Sequence, residues 1–141
     1  MADFFTHFSC LLDVRTPENA ARALEIYNRM MEENAAEDPP SEAFLLSIQP
    51  EHGGTRLWIR DDTTGDPQAV IDFVLRCAGE FGLTGRWGFQ WAYTCSRPRV
   101  NAFGGGAHVL DLGRRKTVAL IATNGWLDRT LSARPGKRGT R

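Results

Sequence analysis

Phe4-Phe5-Thr6-His7-Phe8-Ser9-Cys10-Leu11-Leu12-Asp13-Val14 puts Phe4, Phe8, Cys10, Leu12 and Val14 at even positions, with Thr6 as the exception. A period of two is the signature of a strand with one face in a core, so residues 4–14 are expected to form a single half-buried strand. Its partners follow from the next punctuation marks. Thr16-Pro17-Glu18 is an N-cap with proline in the first turn, and Ala20, Leu24, Tyr27 and Met31 recur at helical spacing until Asp38-Pro39-Pro40. Ala43 to Gln49 and Thr55 to Arg60 alternate again around the turn Glu51-His52-Gly53-Gly54, which predicts a hairpin. Asp66-Pro67 repeats the cap signal, and Val70, Phe73, Val74, Cys77 and Phe81 make one stripe that stops near Gly82.

The second half of the chain adds strands. Arg86 to Cys95 alternates, with Trp87, Phe89, Trp91 and Tyr93 on one side and Gly88, Gln90, Ala92 and Thr94 on the other. The small, polar second side makes the ring-bearing side the core face, packed under the helices. Ala107 to Leu112 and Thr117 to Ala122 flank Gly113-Arg114-Arg115-Lys116 as a second hairpin, and a short helix runs from about Asn124 to Leu131. Residues 1–132 are thus expected to form one α+β domain. Residues 133–141 hold four basic side chains and no large apolar one, and are expected to be a disordered basic tail.

The order βαββαβ followed by ββα resembles a ferredoxin-like split βαβ unit with a C-terminal β-hairpin and a short helix. That resemblance implies a mainly antiparallel sheet with its helices on one face, and no particular chemistry.

Composition narrows the class. A chain of 141 residues with 42% apolar content is long enough to bury about 70% of its unfolded surface without a disulfide or a metal. Cysteines at 10, 77 and 95 are odd in number, widely spaced and set in apolar stretches, the pattern of buried thiols in a reducing compartment. Met-Ala-Asp-Phe-Phe lacks the basic start of a signal peptide, and the longest plain apolar run, Val118 to Ala122, falls far below the ~20 residues of a membrane span. A cytoplasmic location and no membrane association are expected. Fifteen of the seventeen basic residues are Arg, which by itself selects no partner.

The formal net charge of zero hides two unlike halves. Residues 1–85 carry fifteen acids against six Arg, a balance of −9, and residues 86–141 carry two Asp against nine Arg and two Lys, a balance of +9. Without the four basic residues of the tail, residues 86–132 keep +5. Such a divided field seeks an acidic partner, a basic partner or its own other half, and it disfavours a polyanion, which must avoid the acidic half. Glu32, Glu33, Glu37, Asp38 and Glu42 crowd the end of the first helix, against its dipole, and so invite a cation from outside or from elsewhere in the chain.

Two surfaces stand out as binding candidates. If Leu57 and Ile59 face the core, Arg56, Trp58 and Arg60 face away from it, and the first strand contributes Phe5, His7 and Leu11 to the same outer face. Trp58 is then expected beside an aromatic or His between two cations, a placement similar to that at which RNA-recognition domains stack bases, although their sequence signatures are absent. The second hairpin folding across this face, or a second copy covering it, would remove the site. The other candidate is the stretch from Thr94 to Gly106, where Arg97, Arg99 and the run Gly104-Gly105-Gly106 could cradle a phosphate or carboxylate, with Phe103 as a plug. No GxxxxGK[ST] or helix-opening GxGxxG accompanies it, so a plain glycine turn is the competing reading.

Catalytic and metal signals are weak. Cys95, His108 and Asp111 could be aligned as nucleophile, base and orienter, but Cys95 lies on the core side of its strand. Three His and three Cys share no zinc spacing, and Asp61, Asp62 and Asp66 are accounted for by the helix they precede. No catalytic residue, metal or cofactor is therefore assigned. The leading expectation is a small non-enzymatic protein-binding module of the regulator or inhibitor kind, with homo-oligomerisation as a variant. Single-stranded nucleic-acid binding through the outer face comes second, and an enzyme or binder for an anionic small molecule at residues 97–106 third.

Overall fold

The computed structural model describes residues 3–37, 43–100 and 102–133, so Asp38, Glu42 and the expected tail beyond Ala133 lie outside the described residues. The order is β1 (Phe4–His7), β2 (Ser9–Asp13), α1 (Pro17–Ala35), β3 (Leu45–Gln49), a 3-10 turn (Glu51–Gly54), β4 (Arg56–Arg60), α2 (Pro67–Phe81), β5 (Arg86–Cys95), β6 (Gly104–Asp111), β7 (Lys116–Ala122) and α3 (Thr123–Ser132). The strands form two antiparallel sheets, one ordered β1-β5-β6-β7 and the other β2-β4-β3. The architecture is α+β. No described helix is long and apolar enough to cross a membrane.

The single strand expected over residues 4–14 is two strands, and the break falls at Phe8. Phe8 N–H donates to Asp61 Oδ1 at 2.8 Å, and the Phe8 carbonyl accepts from Asp61 N–H at 3.1 Å. Both backbone groups of Phe8 are therefore bound to the residue that follows β4. Its ring turns into the core, edge-on to Phe89 at 6.1 Å between centroids, over Gly65, where a Cβ would lie 2.6 Å from the ring. The chain thus changes sheets: β1 pairs with β5 and β2 pairs with β4. Phe8, Leu12 and Val14 are buried as expected, but Phe4 is 56% exposed because β1 lies beyond the core.

Both cap signals operate. Thr16 Oγ1 accepts from Asn19 N–H at 3.0 Å, and Asp66 Oδ1 accepts from Gln68 N–H at 2.9 Å. In α1 the buried line is Ala20, Ala23, Ile26 and Met30, with the expected Leu24, Tyr27 and Met31 half-buried on its flank. Tyr27 holds its place by donating to the Phe44 carbonyl at 2.6 Å. α2 buries Val70, Phe73, Val74 and Cys77 completely, each large side chain worth about 1.5–3 kcal/mol of transfer free energy. One core gathers α1, α2 and the inner faces of β2, β4, β5 and β6, including Phe89, Leu110 and Leu112. Neither β7 nor α3 contributes a buried residue.

The triglycine is not a loop. Gly104, Gly105 and Gly106 open β6 and pair with Tyr93, Ala92 and Trp91 of β5. Added Cβ atoms at Gly104 and Gly106 would strike the Tyr93 and Trp91 rings, and one at Gly105 would strike the Trp91 carbonyl. The glycines are there so that two large rings can lie flat on the neighbouring strand.

Candidate functional site

The outward side of the β2-β4-β3 sheet is a small grid. Leu57 and Ile59 are fully buried, so Arg56, Trp58 and Arg60 point away from the core, as alternation requires. Trp58 stands between Leu11 and Ser47, Arg60 between Ser9 and Leu45, and Arg56 between Asp13 and Gln49. The indole is held from two sides: its Nε1–H donates to Ser9 Oγ at 2.8 Å, and the Arg60 guanidinium carbon lies 4.0 Å from the ring centroid. Arg60 is itself fixed by a 2.9 Å bond to Ser47 Oγ. Such a stack presents a flat apolar ring and a cation in one preset geometry.

Trp58 remains 37% exposed, and Leu11 and Leu45 beside it are also exposed. The second hairpin does not cover this face, because β6 and β7 extend the other sheet outward from β5. Among the described residues neither Arg56 nor Arg60 has a carboxylate within ion-pair distance; Asp13, the neighbour of Arg56, instead accepts Arg15 N–H at 2.8 Å. The face therefore combines apolar groups, two Arg and, opposite Arg56, one Asp.

Phe5 and His7 do not join it. They lie on β1, opposite Thr94 and Ala92 of β5, with their rings stacked at 6.4 Å. The strand break at Phe8 separates them from Trp58. His7 instead helps to close the seam between the sheets, lining a cleft of about 470 Å³ with Phe8, Ser9, Asp61, Gln90, Trp91 and Ala92. Its Nδ1 lies 3.0 Å from Asp61 Oδ2, and its Nε2 lies 3.3 Å from the Thr94 hydroxyl. Burial would raise the Asp61 carboxyl, but the bonds from His7 and Phe8 N–H outweigh it and hold the group below the usual carboxylate range. Hydroxyl, imidazole and carboxylate follow one another as in a hydrolytic triad. Here 3.3 Å is long for a nucleophile and its base, and Thr94 sits in a ladder opposite Phe5, so the set pins the seam.

The remaining candidates come apart. Arg97 and Arg99 are exposed around a shallow hollow of about 300 Å³ that includes Cys95, Ser96, Pro98, Ala102 and Phe103 but none of the three glycines. Gly104-Gly105-Gly106 do not form a loop around Arg97 and Arg99 but lie in the β5–β6 ladder. Phe103 is no plug, being 76% exposed. Cys95 pairs with Phe4 at one end of β5 while His108 pairs with Phe89, six residues or about 20 Å along the strand. His108 is buried, bonded to Thr117 Oγ1 at 2.7 Å, and burial lowers its pKa so that the ring stays neutral. Among the described residues no group of three or more His, Cys, Asp or Glu could hold a metal ion. Cys77 is buried and Cys10 and Cys95 partly so, all unpaired; burial pushes the Cys10 and Cys77 thiols up to about 12.

Two acids of α1, Glu25 and Glu33, find a cation within the molecule. Arg76 reaches Glu33 at 3.3 Å, and Arg22 of α1 reaches Glu80 of α2 at 3.0 Å. Comparison with family models, with curated proteins and with solved structures gives no match.

Proposed function

We propose that this chain is a small non-enzymatic protein-binding module that occupies an acidic, partly apolar surface of another protein, as a regulator or inhibitor does. The observation that carries this reading is the uncovered Trp58–Arg60 stack, flanked by Leu11, Leu45 and Arg56. Trp and Arg are the side chains in which binding energy concentrates, and a ring already fixed by Ser9 and Arg60 loses little rotamer entropy when a partner arrives. The two guanidinium groups, without an ion pair among the described residues, favour a carboxylate-bearing partner over a basic one.

The fold reading that goes with it is a ferredoxin-like βαββαβ sheet broken at Phe8. Support comes from the order of neighbours, β5 beside β1, β2 beside β4 and β4 beside β3, if β1 and β2 are counted as one bent strand. Three unpaired thiols fit a reducing, cytoplasmic setting.

The test is affinity capture from the source lysate with wild type, Trp58→Ala and Arg60→Ala. A protein retained by wild type and lost from both variants is expected. Equal retention by all three, or binding of single-stranded RNA in place of protein, contradicts the proposal.

A further inference from the structure

The other sheet carries a second, independent surface. β7 closes its sheet as an edge strand of seven residues, Lys-Thr-Val-Ala-Leu-Ile-Ala, and none of them is buried. Proteins usually blunt such edges with proline, charges, a bulge or a covering element. Here Lys116 at the first position is the only charged residue, there is no proline, and beyond a bulge at Val118 the ladder is regular from Ala119 to Ala122.

α3 follows at once, and it too buries nothing. Trp126 and Leu127 are half-exposed and Leu131 more so, and with Thr130 they fall on one side of the helix by their spacing of one, four and five. Of the twelve large apolar side chains exposed among the described residues, six, Val118, Leu120, Ile121, Trp126, Leu127 and Leu131, lie within this one segment. A helix of ten residues is shorter than the ~12–15 needed for even marginal stability in isolation. This segment requires a cover.

We propose that the cover is a second copy of this chain, with β7 pairing antiparallel to its own counterpart across a two-fold axis and α3 packing over the joint. Leu120 lies on the same side of the sheet as its neighbour His108, while Ala119 and Ile121 lie on the other side with Val109 and Ala107. An added strand must therefore be apolar on both faces, which β7 itself is. Lys116, Asp128 and Arg129 are the only charges from residue 116 to residue 132, so two copies meet without strong repulsion. A two-fold contact is self-complementary and closes, whereas a head-to-tail contact through the same edge would grow without end. The regular part of β7, beyond the bulge at Val118, pairs with its counterpart in a register centred on Leu120, which sets Leu120 against Leu120 and Ala119 against Ile121, side chains that share a face.

Light scattering on the purified full chain at micromolar concentration is expected to give twice the 15.7 kDa of one chain. Leu120→Lys with Ile121→Lys is expected to halve that mass and keep the far-ultraviolet circular dichroism, since both side chains are already exposed in the single chain. Leu120→Cys is expected to form an intermolecular disulfide on mild oxidation, because opposed residues in an antiparallel pair lie within disulfide reach, and Val100→Cys, fully exposed, is expected to form none. A single-chain mass at high micromolar concentration overturns the proposal. So does a dimer that survives the double substitution and does not cross-link at position 120. Trp58→Ala must leave the dimer intact, so failure here and failure at the Trp58 face are separate results.

Discussion

Single residues govern the two junctions of this molecule, and each responds to a defined change. Asp61 ties β1 to the end of β4 through His7 and Phe8, and its carboxyl titrates below the ordinary value of 3.8. A depressed carboxyl pKa stabilises the fold above the unfolded value and loses that contribution as pH falls through the folded one. Acid unfolding monitored by Trp fluorescence should therefore begin at higher pH in Asp61→Asn than in wild type. His108 acts in the other range: its folded pKa lies below the ordinary 6.5, so its contribution is complete above that value and declines as pH drops beneath it. His108→Gln should flatten the dependence of thermal stability on pH just below 6.5. In the glycine run, Gly105→Ala forces a Cβ against the Trp91 carbonyl; a loss of about 1–3 kcal/mol is expected from urea unfolding, the usual range for overpacking.

At the scale of elements, the helices are the parts most legible in the sequence. Thr16-Pro17 and Asp66-Pro67 carry their own caps within two or three residues, so local chemistry suffices to place both starts. Asp66→Ala should cost about 1 kcal/mol by thermal denaturation, the usual worth of such a cap. The strands were less legible because pairing is not a local property. Alternation continues unbroken through Phe8, while the partner that splits the strand, Asp61, lies 53 residues away. Gly104-Gly105-Gly106 reads as a loop until Trp91 and Tyr93 are set across from it, since only the cross-strand rings explain three glycines in a ladder. The outer face was legible by half: the parity of Leu57 and Ile59 places Trp58 and its two Arg, but Phe5 and His7 share its parity and not its sheet. For β7, five apolar residues in a row fit a buried strand and an edge awaiting a partner equally well, and periodicity alone does not tell them apart.

Across the whole molecule, the balance of −9 and +9 already counts every Arg of each half. Arg22 and Arg76 hold Glu80 and Glu33 in pairs between α1 and α2, exposed and worth little to stability, and the acidic excess of residues 1–85 stays. The two candidate surfaces are the Trp58 face, on the central strand of one sheet, and a nearly neutral apolar edge at β7, the last strand of the other. Raising the salt concentration should accordingly weaken binding at the Trp58 face, where Arg56 and Arg60 would meet carboxylates, and leave the β7 dimer unchanged by light scattering. The central claim is that the Trp58 face is the surface that meets another protein. Photo-crosslinking from benzoylphenylalanine placed at Leu11, beside Trp58, tests it most directly, with the same probe at the exposed Val100 as reference. In source lysate the account predicts a discrete protein adduct from position 11 that disappears with Trp58→Ala, and adduct yields no higher from position 11 than from position 100 would contradict it.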